Sequence, residues 1–376
     1  MSSLLFVTWD GGGNVPPALG IAAELRRRGH AVRFLGHEVQ RETFEAAGFV
    51  FHAAESAGPW SCLDLHTGPT APLDYARVFA DRGIGEDLTA MVAASGADRV
   101  VIDGLLIGAI DAAARAGIPY VPLVHTFYSV LDAALNGGRL GALLREWGLD
   151  PQEAYAAADS VLVTTLRELD PAGNDSLPDV VRYTGPVLPK TAEPQHDPHA
   201  GKPTVLVSLS TTYIEGQQEA LQAILDATAT LPVSVVLTTG PAVHPTTLHP
   251  AGNAVVRRFV PHAEVMPQAS LVIGHGGHAT TMQALAHGIP LLVMPMNPYF
   301  DQPAIAQAVT GAGAGRTLTK DAAPAGIRSV VQDLLASGSA QAAATRLGEA
   351  IRAVPGGIVA ADVLTAAPQI APVPGA

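Results

Sequence analysis

In the second half of the chain the apolar run Leu271-Val272-Ile273 enters Gly274-His275-Gly276-Gly277-His278-Ala279-Thr280-Thr281-Met282-Gln283. A strand that passes through glycines into a helix builds an anion seat. The first helical N–H groups have no carbonyl partner, the helix dipole adds partial positive charge, and glycine lets the backbone come close. His275, His278, Thr280 and Thr281 add donors enough for two phosphates. Spacing alone leaves a second reading open, in which Gly276 and Gly277 only shape a tight turn and the histidines cap it or face solvent. The continuation weighs against that reading: Gly288-Ile289-Pro290-Leu291-Leu292-Val293-Met294-Pro295 brings a second strand to the polar pair Asp301-Gln302, whose carboxylate and amide suit sugar hydroxyls.

The chain opens with an apolar strand that runs into Asp10-Gly11-Gly12-Gly13-Asn14-Val15-Pro16. A dinucleotide fingerprint needs its third glycine where Pro16 stands, which disfavours a nicotinamide oxidoreductase. Three groups capable of acid–base work follow strands. Asp10 either faces the cleft as a base or accepts the amides of its own glycine turn. Asp103 and His125 reach the same rim from residues 100–102 and 120–124, or serve as a helix cap and a satisfied structural imidazole.

The elements that must position these residues alternate. Apolar strands are expected at 4–8, 31–35, 99–102, 120–124, 160–164, 180–183, 204–208, 234–238, 254–259, 271–273 and 291–294, with helical patterns between them, including 15–28 and 217–229. Such alternation implies an α/β chain with parallel sheets covered on both faces. Prolines at 186, 189, 194 and 198 mark a linker. The division is therefore a first Rossmann-like domain at 1–185, a linker at 186–203, a second Rossmann-like domain at 204–352, and at 353–376 a helix expected to pack back on the first domain plus a loose proline-bearing tail. Ligands of such folds bind beyond the strand carboxyl ends, in the cleft between domains.

The 376 residues are 48% hydrophobic and 15% charged, enough for two ordinary cores and unlike a disordered chain. A formal charge of −12 disfavours nucleic-acid binding. The single Cys62 excludes an intrachain disulfide and a cysteine zinc site. No basic-then-apolar leader precedes the first strand, and no apolar run approaches the ~18 residues that span a bilayer, so a cytoplasmic protein without membrane attachment is expected.

The composite of His275-Gly276-Gly277-His278-Ala279-Thr280, Gly288-Ile289-Pro290 and Asp301-Gln302 resembles the hallmark of inverting GT-B glycosyltransferases, two Rossmann-like domains facing a cleft, especially the family 1 enzymes of antibiotic and plant natural-product pathways. The resemblance implies that His275 and the N–H groups near Gly277 hold the diphosphate of a UDP- or TDP-sugar, with Thr280 and Thr281 beside it. Gln283 occupies the position where plant relatives carry a ribose-binding Glu. Phe259-Val260-Pro261-His262 resembles the segment whose aromatic ring stacks on the base while the backbone of the following Val reads its edge. Ser208-Leu209-Ser210-Thr211 is similar to the Ser-rich loop over the phosphates, or caps the helix near Glu215.

In that family the base is a His or Asp after the glycine of the first loop, and here Asn14 fills the slot. An amide cannot take the proton at neutral pH. Asp10 is the favoured replacement, with His125 and Asp103, or an acceptor that needs little deprotonation, as alternatives; Asp103 matches an Asp that orients the usual His, and with no His at position 14 it binds Asn14 or caps the next helix. Trp60, Tyr75, Phe79, Phe127, Tyr128 and Leu131, from the variable segments 55–79 and 126–144, are candidates to line an apolar aglycone pocket. No Asp-x-Asp triplet occurs, so metal-independent transfer of a hexose or deoxyhexose to a small natural product is expected, with O-transfer the default and N- or C-transfer open. No cofactor is implied beyond the nucleotide sugar, and a homodimer is left open. A nucleotide-sugar epimerase of the same architecture and a non-catalytic nucleotide-sugar-binding activator are the rival readings.

Overall fold

The computed structural model describes residues 2–64, 66, 71–189 and 201–366. The loose tail and most of the expected linker lie outside the described residues.

The first sheet has seven parallel strands in the order β3-β2-β1-β4-β5-β6-β7: β1 Ser3–Val7, β2 Ala31–Gly36, β3 Val50–Ala53, β4 Arg99–Asp103, β5 Tyr120–Val124, β6 Val161–Val163 and β7 Val181–Tyr183. The second has six, in the order β10-β9-β8-β11-β12-β13: β8 Thr204–Ser208, β9 Ser234–Thr238, β10 Ala254–Arg257, β11 Ala269–Gly274, β12 Leu291–Val293 and β13 Gly315–Thr317. Each sheet reverses its winding once, at β1/β4 and at β8/β11. Those are the crevices where an open parallel sheet takes a ligand.

Two strands went unread in the sequence. β3 is an edge strand whose Val50 is largely exposed, and β13 is a three-residue Gly-Arg-Thr segment with no apolar signature. β10 ends at Arg257, two residues short of the expected boundary, which releases Phe259 from the sheet.

Strand alternation explains why both sheets are buried on both faces. Leu4 and Phe6 pack with Ile21, Leu25 and Phe34 on one side, while Leu5 and Val7 pack with Ile102 and Ile107 on the other. In the second domain Val205 and Val207 face one core and Leu206 the other. That second face continues across the domain boundary, where Phe127, Leu166 and Leu169 of the first half join Met266, Met282 and Leu285.

The last helix, Gly356–Thr365, lies on the first domain against the helix Val15–Arg27. Ala360, Ala361 and Leu364 enter its core, Asp362 pairs with Arg28 at 2.6 Å, and Arg99 donates to the carbonyl of Leu364 at 2.7 Å. Among the described residues no helix is long and apolar enough to cross a membrane.

Candidate active site

Register brings the first-domain groups together. β1 and β4 pair Val7 with Ile102, and β4 and β5 pair Asp103 with Leu123, so Thr8, Asp103 and His125 emerge side by side at the carboxyl rim. Asn14, at the start of the helix Val15–Arg27, reaches back over this rim. Its Nδ2 lies 2.9 Å from Asp103 Oδ2, 2.9 Å from the Trp9 carbonyl and 3.2 Å from Thr8 Oγ1. These acceptors fix the orientation of the amide and leave its buried Oδ1 without a protein partner. Asp103 is anchored further by Leu105 N, which donates to Oδ1 at 3.0 Å, and His125 Nδ1 stands 3.5 Å from Oδ2.

Asp10 does not close on its glycine turn. Its carboxylate accepts Cys62 N at 2.9 Å, and its carbonyl accepts the Trp60 indole at 2.8 Å, so it anchors the 60–62 loop. Burial first, then the nearby Asp10 carboxylate, pushes the Cys62 thiol up to about 12 and leaves it a neutral side chain.

Trp60 stacks on His66 at 4.1 Å and belongs to an aromatic cluster with Trp9, Tyr75 and Phe79. Phe79 is buried within it rather than lining open space. The cluster crosses the cleft, because Tyr75 meets Phe300 of the second domain edge to face at 4.8 Å. The expectation for Phe127 is corrected. It is fully buried in the apolar seam between the domains, 6.2 Å from the His278 ring, with no surface left for an acceptor. Tyr128 and Leu131 are nearly buried too, and the Tyr128 amide is held by Asp170.

The second-domain seat sits on the β8/β11 crevice, where Gly274 pairs with Ser208. Gly276 adopts φ +86°, and a Cβ there would lie 2.9 Å from the Gln302 carbonyl, so both conformation and space demand glycine. Gly277 has ordinary φ but carries the His275 ring, 2.5 Å from where a Cβ would stand. Burial holds His275 down to about 4, so the ring is a neutral imidazole, and its buried Nδ1 has no protein partner. The helix His278–Ala286 then begins with Gly277 as its cap and no side chain capping it. Thr280 and Gln283 remain partly exposed beside this N-terminus.

Three donor-side expectations change. His278 turns into the domain seam and shares a 2.8 Å hydrogen bond with Thr165 Oγ1. Burial, with a smaller contribution from His125, holds it down to about 3. Thr281 is buried in the helix packing. Gln302 spends its carbonyl oxygen on the amides of Met296 and Asn297, at 2.8 and 2.9 Å, and so shapes the loop before it. Asp301 faces the first domain, accepting Thr126 Oγ1 at 2.5 Å. Burial raises its carboxyl above the ordinary value, opposed by the Thr126 bond and by His125.

Phe259 is 76% exposed, so the ring has no core role. Val260 follows it half-buried, and His262 ties the segment to β8 through a 3.1 Å contact with Ser208 Oγ. Ser210 Oγ accepts Thr212 N at 3.0 Å within its own loop, while Thr211 is exposed and faces Gly12, where a Cβ would lie 3.0 Å from its Oγ1. The glycine loop of one domain and the hydroxyl loop of the other thus meet across the cleft.

Thr126, Thr165 and Phe300 were given no role from the sequence, and His262 was read only as the end of its motif. Thr126 and Thr165 share the signal that marked Asp103 and His125, a polar residue at a strand's carboxyl end.

Residues 222–365 match the family model for the C-terminal domain of erythromycin biosynthesis protein CIII-like proteins. The chain is 33% identical over 244 residues to the PGL/p-HBAD biosynthesis glycosyltransferase of Mycobacterium tuberculosis, a match covering 62% of this chain and 55% of that relative, so it spans about half of the relative's length. It is 28% identical to the demethyllactenocin mycarosyltransferase of Streptomyces fradiae, covering 97% and 86% of the two chains. The crystal structure of the calicheamicin glycosyltransferase CalG4 superposes with a TM-score of 0.78 at 24% identity, covering 97% of each chain. Two parallel-sheet α/β domains facing a cleft, with this likeness, define a GT-B protein. Within that fold the chain is similar to natural-product glycosyltransferases, through the matched C-terminal domain model and the mycarosyltransferase.

Proposed function

We propose that this protein transfers a hexose or deoxyhexose from a uridine or thymidine diphosphate carrier to a small, largely apolar acceptor, with inversion and without a metal ion. The observation that carries the reading is the pairing of a bare Phe259 ring with the glycine-led helix N-terminus at His275–His278. One offers a stacking face for a base; the other offers unpaired N–H groups for a diphosphate.

His275 is neutral at physiological pH, so it acts on the leaving diphosphate as a hydrogen-bonding group, and the helix terminus supplies the positive potential. Fixed dipoles of this kind stabilise charge that builds on the bridging oxygen as the glycosidic bond breaks. Asp301, held by Thr126 at the boundary between domains, stands ready to accept from sugar hydroxyls. The acceptor enters from the β1/β4 rim, beside the Trp9–Tyr75–Phe300 aromatic wall.

A thermal-shift panel with UDP, TDP, GDP, NAD and NADP tests the donor half. Stabilisation by UDP or TDP supports the reading, and preference for a nicotinamide cofactor sinks it. Mass spectrometry with nucleotide sugar and an aglycone mixture, with and without EDTA, tests the transfer. A changed sugar on an intact nucleotide without acceptor identifies an epimerase instead, and a strict Mg²⁺ or Mn²⁺ requirement overturns the metal-free mechanism.

A further inference from the structure

We propose that the proton of the acceptor is taken by His125, oriented by Asp103, so that the basic group stands just past the end of β5 rather than in the first loop. This rests on the transfer reading above and assigns a residue within it.

The first loop offers no usable base. Asn14 is an amide, fully committed through Nδ2 to three acceptors. Asp10 is occupied by the amide of Cys62 and built into the wall of the 60–62 loop. Asp103 is 5% exposed and locked from two sides, by Asn14 Nδ2 and by Leu105 N. A carboxylate held in this way is a fixed acceptor with one direction left to serve. In that direction lies His125 Nδ1, 3.5 Å from Oδ2.

Within the Asn14–Asp103–His125 set, His125 is the partly exposed member, with 17% of its side chain open. With Asp103 facing Nδ1, the ring's proton sits on Nδ1 and the lone pair on Nε2, the tautomer a general base needs. Charged and titratable neighbours meet the ring from both domains: Asp103 at the end of β4, His278 from the seam, and Asp301 beside Thr126. The imidazole therefore stands between the acceptor rim and the residue read as the sugar contact.

The step balances without a further reagent. As Nε2 takes the acceptor O–H proton, the oxygen forms its bond to the anomeric carbon. The bond from that carbon to the diphosphate breaks, and the nucleoside diphosphate leaves with the electron pair. The resulting imidazolium is stabilised by Asp103. Asn14 acts as a positioning residue, holding the carboxylate whose partner has moved.

Acceptor acidity tests the assignment, because 4-nitrophenol is largely ionised at pH 8 and 2-naphthol is not. Transfer rates of wild type and His125→Gln are compared with both phenols at saturating donor, with UDP and TDP binding measured by calorimetry. A general base is worth ~10²–10⁴-fold. His125→Gln is expected to lose that much with 2-naphthol and less than about tenfold with 4-nitrophenol, while nucleotide affinity stays within about twofold. Equal losses with the two phenols, or no loss with 2-naphthol, overturn the assignment and leave the transfer reading intact. A wild-type protein that transfers to neither phenol overturns the reading on which it rests. Should His125→Gln fail to bind nucleotide, His125→Asn repeats the comparison with the same criteria.

Discussion

Asn14 and Asp103 are joined by a 2.9 Å hydrogen bond, amide to carboxylate, across the winding reversal of the first sheet. The bond is neutral-to-charged and almost wholly buried, with Asn14 2% and Asp103 5% exposed. Replacing Asn14 by Asp puts two carboxylates in contact there. One of them must stay protonated, its folded pKa rising above the unfolded value. Stability is then retained at low pH and lost as pH rises through the raised value. Asn14→Asp should cost about 2–4 kcal/mol at pH 8 and much less at pH 5, read from urea unfolding at the two pH values. Equal costs at both would show that the pair is solvated.

His275 and His278 predict a pH dependence of the opposite sense. Their folded values, about 4 and about 3, lie below the unfolded 6.5. Between those limits the unfolded chain binds protons that the native chain refuses, so stability is full above pH 6.5 and falls as pH drops toward 4. Each group contributes at most about 1.4 kcal/mol per pH unit. Asp301, raised by burial, works against this trend at the acid end. His278→Gln should flatten the fall in melting temperature between pH 6.5 and 4.5, and an unchanged slope would assign that fall elsewhere.

Phe259 separates binding from stability. Because its ring is 76% exposed, Phe259→Ala should leave unfolding free energy within about 0.5 kcal/mol of wild type. Affinity for TDP or UDP should drop by about 1–3 kcal/mol, the usual worth of a base on an aromatic face. Calorimetry and thermal melts on the same preparation check both halves.

Gly276 predicts the reverse coupling. A methyl group there meets the Gln302 carbonyl at 2.9 Å and Val293 at 3.0 Å, with φ +86°. Gly276→Ala should destabilise the protein by about 1–3 kcal/mol and weaken nucleotide binding, since the same turn sets the helix N-terminus. Preserved affinity in that variant would remove the turn from the donor site.

How far the sequence reached depended on how local each determinant was. The alternation of buried strands and helices is written in short-range periodicity, and so were eleven of the strands, the glycine turn and its following helix. β3 and β13 were missed because an exposed edge and a three-residue polar strand carry no such period. The exposed Phe259 would pass for core by type alone, and only its position beyond the end of β10 leaves it bare.

The catalytic candidates followed the same division. Residue types and strand-end positions marked Asp10, Asp103 and His125, and the family resemblance added Asn14, which its own chemistry ruled out as a base, because an amide has no proton affinity to offer. The sequence offered Asn14 as a partner for Asp103, and the two lie 2.9 Å apart, but it did not reveal that Cys62 occupies Asp10 or that His125 stands on the other side of Asp103. Those contacts join residues 52 and 89 positions apart, or neighbouring strands whose register no local pattern encodes. The side facing of Phe127 and His278 was likewise settled by the packing of one domain on the other. What the chain determined by itself was the chemistry available at each strand end; which of those ends share a partner was decided by strand order and domain contact, because a hydrogen bond depends on distances that only the tertiary fold sets.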